Sequence, residues 1–291
     1  MKMTGAQIVM ECLAREGVEI VFGYPGGANL PLYDKLPQYQ QRVRHILVRH
    51  EQAAAHAADA YARVTGKVGV CMATSGPGAT NLVTGIANAW MDSVPMVAIT
   101  GAVVTSLIGR DGFQEADITG ITIPITKHNA LVLRVEEIAQ TLKEAFYIAS
   151  TGRPGPVLVD IPRDVLQATC EFHYPEEVKL RGYHPVTEGD PAQIRRAAQV
   201  LEEAERPLIL AGHGVIISRA YEELRALAEK ADIPVISTLL GLSGFPGSHP
   251  LYLGMPGMHG MYWNNIAITE ADLIVGIGMR FDDRVTGRLK D

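Results

Sequence analysis

The stretch KVGVCMATSGPGATN, Lys67–Asn81, decides the fold. KVGVCMA (67–73) is a short, mostly apolar run, which is how a strand buried on both faces reads. A glycine-proline turn follows at once and opens a helix rich in Ala and Asn. A buried strand feeding a covering helix is the repeating unit of a parallel α/β sheet. The unit recurs on both sides. Upstream, Thr4 N-caps a helix with Ile8, Val9, Cys12 and Leu13 on one face and Gly17 as its stop. VEIVFGY (18–24) is a strand ended by PGG, and HILV (45–48) is a strand that feeds the helix after Glu51. Downstream, PMVAIT (95–100), ALVLRV (130–135) and GPVLVDIP (155–162) are further strands. The last follows a helix with Ile138, Leu142 and Phe146 on one side.

The fold class is therefore α/β, with residues 1–164 as the first domain. Residues 165–190 carry charges, scattered Pro and Gly and little periodicity, and read as a linker. Alternation resumes over 191–291, with a helix at 191–205, a strand PLILAG, a helix YEELRALAEKA and strands IPVIST and ADLIVGIG. About three strands are expected there, against the five or six of a doubly wound domain, so this second α/β domain reads as incomplete and Rossmann-like.

Composition narrows the function. Hydrophobic residues make up 47% and charged residues 20%, ordinary values for a globular protein with a sizeable core. The net charge of −6, with no basic run, argues against a nucleic-acid partner. The N-terminus lacks a signal-peptide block, and no run reaches the roughly 18 apolar residues of a membrane span. Cys12, Cys71 and Cys170 are odd in number and widely spaced, which suits a reducing, cytoplasmic setting and provides no metal pattern. His50, His56, His128, His213 and His259 show no zinc spacing, and there is no G-x-S-x-G for a serine nucleophile.

Four features carry chemistry, each with a plainer alternative. TSGPGATN (74–81) can aim backbone N–H groups at a ligand or be a tight turn; it lacks the dinucleotide spacing. GYPGGA (23–28) is a second glycine loop at a strand's C-terminal end, where ligands of open α/β sheets collect, or simply a second turn that holds no ligand. In the second domain AGHG (211–214) and GIGMRFDDR (276–284) end strands. There Arg280 and Arg284 can clamp a carboxylate or phosphate, or pair with Asp282 and Asp283 at the surface. Glu51 opens a helix, where the dipole alone favours a carboxylate by about 0.3–1 kcal/mol; it can also be an acid–base group.

In order along the chain stand FGYPGGA, RHEQAAAHAADAYARVTGKVGV, TSGPGATNLVTGIANAWMDSVPMVAITG, DGFQEADI, TKHN, TGRPGPVLVDIPRDV, STLLGLSGFP, GMHG and RFDDRVTGR. Together they closely resemble the acetolactate synthase (acetohydroxyacid synthase) catalytic-subunit family of thiamine-diphosphate enzymes, from the first residue to the last. The resemblance implies a pyrimidine-binding thiamine-diphosphate domain followed by part of a FAD-binding middle domain. It implies decarboxylation of pyruvate and transfer of the two-carbon unit to a second 2-keto acid, as in branched-chain amino-acid biosynthesis. Glu51 matches the glutamate that hydrogen-bonds the aminopyrimidine and favours the tautomer able to take the thiazolium C2 proton. That makes the carboxylate at the strand-to-helix join a proton partner, with the helix dipole as support.

By the same resemblance Tyr24, Gly26, Gly27 and Ala28 form a loop near the reacting centre, Pro77 and Asn81 line the aminopyrimidine, and Gln114 lies over the cofactor. Arg280 corresponds to the arginine that selects the second keto acid by its carboxylate. Lys127, Met258 and His259 fall near the substrate channel. FAD positions correspond to Phe113, Arg153, Gly212 and Gly214. They continue through Thr238, Leu239, Leu240 and His259, then Gly278, Arg280, Asp282, Arg284 and Val285. His213 departs from the family's usual glycine.

The family's Mg²⁺ and diphosphate are held by a G-D-G motif with Asn-Asn downstream. This sequence has no G-D-G, and Asn264-Asn265 stands in the second domain without one. The resemblance thus implies an N-terminal part of the enzyme, inactive alone and holding no metal itself. It also implies a homodimer or tetramer, since one subunit's glutamate serves the other's cofactor, and a regulatory subunit as a further partner. Other FAD-containing thiamine-diphosphate enzymes, of the pyruvate oxidase or glyoxylate carboligase type, share the glutamate. A non-catalytic flavin- or nucleotide-binding module is the reading from a different class.

Overall fold

Met96–Ala102 and Pro156–Pro162 contain no exposed residue between them, and they lie side by side in parallel register at the centre of the first sheet. A computed structural model describes residues 1–287. Arg288, which closes the RFDDRVTGR segment, lies outside the described residues. The chain divides into two compact units, Met1–Thr187 and a second beginning at Glu188.

In the first unit the strands are β1 (Lys2–Thr4), β2 (Ile20–Gly23), β3 (Arg44–Leu47), β4 (Gly69–Ala73), β5 (Met96–Ala102), β6 (His128–Leu131), β7 (Pro156–Pro162) and β8 (Thr169–Glu171). Six of them form one all-parallel sheet in the order β3-β2-β4-β5-β7-β6. Apolar runs buried on both faces require helices on both sides, and two separate buried clusters supply them. Gly5–Arg15 and Ile138–Ser150 cover one face through Ile8, Leu13, Leu142 and Phe146. Glu51–Thr65 and Val83–Asp92 cover the other with a largely alanine surface. Gly85 allows that closeness, since a Cβ there would stand 2.3 Å from Ala55 Cβ. The first helix is capped as expected: Thr4 accepts the Gln7 N–H, and the Gln7 side chain accepts the Thr4 N–H at 3.0 Å.

Chain direction produces a switch point. From β2 the chain goes outward to β3, then crosses back to β4 on β2's other side. The loops after β2 and β4 therefore diverge at the C-terminal edge, where parallel sheets bind ligands. Those loops are the two glycine segments.

Several expectations shift. ALVLRV was read as a strand, whereas β6 is His128–Leu131 and Val135 begins a short 3₁₀ turn. The strand pair β1 and β8, antiparallel and three residues each, has no counterpart in the sequence reading. The stretch 165–190, read as linker, is folded onto the first unit as far as Thr187. Phe172, Tyr174, Leu180 and Tyr183 pack against its core. Arg15 lies over the rings of Phe172 and Tyr174, 5.2 and 5.3 Å from their centroids, and the Tyr174 hydroxyl donates to Glu16.

The second unit holds β9 (Pro207–Ala211), β10 (Val235–Ser237), β11 (Tyr252–Gly254) and β12 (Leu273–Ile277), parallel in the order β11-β10-β9-β12. It has four strands where about three were expected; Tyr252–Gly254 is the addition. Here too the chain reverses between β9 and β12, so the loops after those strands flank a switch point. Among the described residues no helix is long and apolar enough to cross a membrane.

Candidate functional site

Glu51 is the first residue of helix Glu51–Thr65. His50 is its extended N-cap, whose Nδ1 accepts the Gln52 N–H at 3.1 Å. A helix-start charge kept there for the dipole alone would stand in water. Glu51 is 7% exposed. A buried carboxylate needs donors, and Asn81 supplies one, its Nδ2 donating to Oε2 at 2.9 Å. The other oxygen faces Gly78: a Cβ on that glycine would lie 3.2 Å from Oε1 and 2.7 Å from Thr74 Cγ2. The absent side chain thus lets Thr74 and the Glu51 carboxylate pack directly against this turn. Its charge extends further: burial raises the Tyr33 phenol above its ordinary range, and the Glu51 carboxylate adds to that.

The two glycine loops meet at Thr74. Ala28 donates its N–H to Thr74 Oγ1 at 3.1 Å, and Gly26 lies so close that a Cβ would stand 2.5 Å from Thr74 Cβ. Fully buried Asn29 braces the first loop, accepting the Gly26 N–H at 2.8 Å and donating to the Tyr24 carbonyl at 3.2 Å. Gly27 has open space where a Cβ would stand, and Tyr24 is partly exposed. Pro77 is exposed at the start of a helical turn, Pro77–Thr80, that leads to Asn81. Gly76 has φ 58 and touches the backbone of Gln114, whose oxygen would be 2.6 Å from a Cβ there. Gln114 itself is left-handed, with φ 57.

One patch of the first unit therefore brings together Gly26, Ala28, Glu51, Asn81 and Gln114 from the sequence-derived set. Thr74, Gly76, Gly78 and Asn29 belong to it as well and were not singled out. The signal for three of them was their place inside TSGPGATN; Asn29 had none beyond following the loop.

Of the other expected residues of this unit, Phe113 adjoins Gln114 in the chain, and Lys127 and Arg153 make other contacts. Lys127 donates from Nζ to the carbonyls of Ile148 and Thr151 and to the Tyr183 hydroxyl at 3.0 Å. Its ammonium thus closes the C-terminal end of helix Ile138–Ser150, a placement favoured by the helix dipole. These contacts hold Lys127 within the first unit. Arg153 donates from Nε to Ser93 Oγ at 2.7 Å, and Phe113 is 89% exposed.

In the second unit, Gly212 and Gly214 follow β9 while Gly278 follows β12. Their backbones pack on one another: a Cβ on Gly212 would stand 2.4 Å from Met279 Cβ, and one on Gly214 2.6 Å from Gly278 Cα. The Gly212 and Gly214 N–H groups donate to the Ile277 and Gly278 carbonyls, both at 2.8 Å. These glycines are first a means for two loops to touch. Thr238 caps the turn carrying Leu239 and Leu240 by accepting the Gly241 N–H at 3.2 Å. Arg280 faces Asp282 at 3.4 Å and Arg284 faces Asp283 at 3.8 Å, the surface ion-pair alternative. The segment bearing Met258 and His259, both exposed, begins at Gly257, where a Cβ would stand 2.3 Å from the Arg284 carbonyl. Val285 is partly buried against the sheet. Among the described residues no group of three or more His, Cys, Asp or Glu is arranged to hold a metal.

The first-unit patch fits half of a thiamine-type cofactor: a buried carboxylate able to bond a ring nitrogen, an amide fixing it, and two glycine loops packed together at Thr74, with open space at Gly27. Burial pushes the Cys12 and Cys71 thiols up to about 12, which keeps those two protonated and unreactive.

Comparison with known proteins agrees. The model of the thiamine pyrophosphate enzyme N-terminal TPP binding domain matches residues 3–121, and that of the thiamine pyrophosphate enzyme central domain matches residues 194–291. The acetolactate synthase of Mycobacterium leprae is 58% identical over 288 residues, 99% of this chain and 46% of that protein. A probable acetolactate synthase large subunit of Methanocaldococcus jannaschii is 56% identical over 291 residues, 99% of this chain and 49% of that protein. The acetolactate synthase large subunit of Buchnera aphidicola is 52% identical over 290 residues, 99% of this chain and 51% of that protein. The chain spans about half the length of the curated relatives it matches.

Proposed function

The chain belongs to the thiamine pyrophosphate enzyme family, and from that premise we propose that it carries the pyrimidine-side and middle portions of an acetolactate synthase. The reaction proposed is decarboxylation of pyruvate followed by transfer of the two-carbon unit to a second 2-keto acid. The observation that carries the reading is Glu51: a buried carboxylate, held by Asn81 and packed against the Gly78 turn that follows β4.

Thiamine diphosphate, when bound, would supply a nucleophilic carbon for chemistry at a keto carbonyl. The chain's own part is proton control. Glu51 would hold the pyrimidine ring nitrogen through its carboxylate and would share a proton there. Asn81 keeps the carboxylate in one rotamer, and Thr74 ties the Tyr24–Ala28 loop across the cleft so that Ala28 and the glycine backbones exclude water from the carboxylate. Gln114, beside Gly76, offers an amide to the reacting groups.

The proposal extends to FAD at the switch point of the second unit, supported by its loop placement, with Arg280 engaging the acceptor's carboxylate after leaving Asp282. It places Mg²⁺ on residues outside this sequence, and includes a cytoplasmic homodimer or tetramer with a regulatory subunit. The protein produced from its own gene, given pyruvate and thiamine diphosphate, is expected to yield acetolactate. Acetate or acetyl phosphate with peroxide would move the reading to an oxidase. No cofactor-dependent pyruvate consumption would end the enzyme reading.

A further inference from the structure

We propose that Glu115 is a positioning residue of this site: its carboxylate builds the loop that seats Gln114 on the Gly76 turn. The proposal rests on the reading above, in which Gln114 faces the reacting groups.

The segment between Thr105 and Asp117 has little regular structure, yet it holds three residues in the left-handed region: Gly109 (φ 74), Asp111 (φ 53) and Gln114 (φ 57). For Asp and Gln such backbone is disfavoured, and it persists only where surroundings over-determine it. The Glu115 side chain supplies that determination. Its Oε1 accepts the Gly109 N–H, while Oε2 accepts the Gly112 N–H at 2.8 Å and the Arg110 N–H at 3.3 Å. One carboxylate thus gathers three amides, of which Arg110's also donates to the Leu107 carbonyl at 3.1 Å and those of Gly109 and Gly112 belong to no strand or helix.

The loop's ends are fixed separately. Thr105 donates its N–H and hydroxyl to the Asp164 carboxylate at 3.0 and 2.6 Å, and Asp117 caps the following turn through the Gly120 N–H at 2.8 Å. What remains is the middle, and there the link to the site is direct. The Gln114 backbone rests on Gly76, where a Cβ would lie 2.6 Å from its oxygen and 2.9 Å from its Cα. Gly76 opens the turn that ends at Asn81, the donor to Glu51. Glu115 reaches the chemistry through Gln114 and touches none of the reacting groups itself.

The test is a double-mutant cycle in the protein expressed from its own gene, loaded with its cofactors and assayed with pyruvate. Glu115→Ala is expected to lower kcat at least about tenfold, since small displacements of a positioned group cost that much or more. Gln114→Ala should show a comparable loss, and the double variant no more than Gln114→Ala alone. Glu115→Gln, equal in size, should fail to rescue because its amide turns donors toward N–H groups. Independently of activity, hydrogen exchange at Gly109, Arg110 and Gly112 should accelerate in Glu115→Ala while the unfolding temperature holds.

Full activity in Glu115→Ala beside an impaired Gln114→Ala would overturn the positioning role alone. Full additivity, or rescue by Glu115→Gln, would overturn it as well. Full activity in Gln114→Ala would overturn the functional reading of that residue and the positioning role with it.

Discussion

Asn81 Nδ2 donates to Glu51 Oε2 at 2.9 Å, joining two loops thirty residues apart around a carboxylate that water barely reaches. A hydrogen bond to a buried charged group contributes about 1.5–3 kcal/mol. Asn81→Ala should therefore lower kcat for acetolactate formation by about tenfold or more, with a modest fall in unfolding temperature. Asn81→Asp should be worse than Ala, because two carboxylates would then share one short contact. Steady-state kinetics of the two variants checks the order.

Asp160 on β7 lies opposite Thr100 on β5, whose hydroxyl donates to it at 2.6 Å in the middle of the sheet. Burial pushes this carboxyl up to about 7. The folded-state value is thus above the unfolded one, so its contribution to stability is complete below pH 4 and is lost as pH rises through 7. The shift corresponds to up to about 4 kcal/mol between those limits. Urea unfolding at pH 5 and pH 8 should show Asp160→Asn gaining on the parent as pH rises. An unchanged difference would mean that Asp160 is ionised in the fold.

Lys127 gives its ammonium to the Ile148 and Thr151 carbonyls and the Tyr183 hydroxyl. Its loss should show in stability and leave substrate binding alone. Lys127→Met is expected to cost on the order of 2 kcal/mol, lowering the unfolding temperature by about 4–8 °C. The KM for pyruvate should stay within about twofold, a difference under 0.5 kcal/mol. A large rise in KM with no thermal change would return Lys127 to the substrate channel.

Why some of this could be read from the sequence and some could not is physical. GVCMA and PMVAIT are apolar without alternation because both faces of β4 and β5 are covered, and burial on both faces leaves that signature. The edge strand β6 is partly exposed along its length, so its polar His128 and Asn129 hid its start, and ALVLRV drew attention to residues past its end. Strands of three residues, such as β1, β8 and β11, are too short for any period. The 165–187 stretch looked unstructured because its anchors, Phe172, Tyr174, Leu180 and Tyr183, are single residues spaced among charges.

At the site, the glycine loops announced themselves, but their purpose did not. Gly26 and Gly78 each make room around Thr74, and no local rule indicates that a threonine is the hub. Glu51 read locally as a helix-start charge. Its burial depends on Asn81 and Gly78 arriving from another loop, which only the fold or the family resemblance could supply.

Glu51, as proposed, governs the proton at the reacting carbon. Its test is the rate at which the C2 proton of bound thiamine diphosphate exchanges into D₂O, in the parent protein and in Glu51→Gln. A fall of about 100-fold or more is expected with cofactor still bound, the range of general acid–base contributions. Equal exchange rates in the two proteins would contradict it and leave Glu51 as a buried helix-start charge.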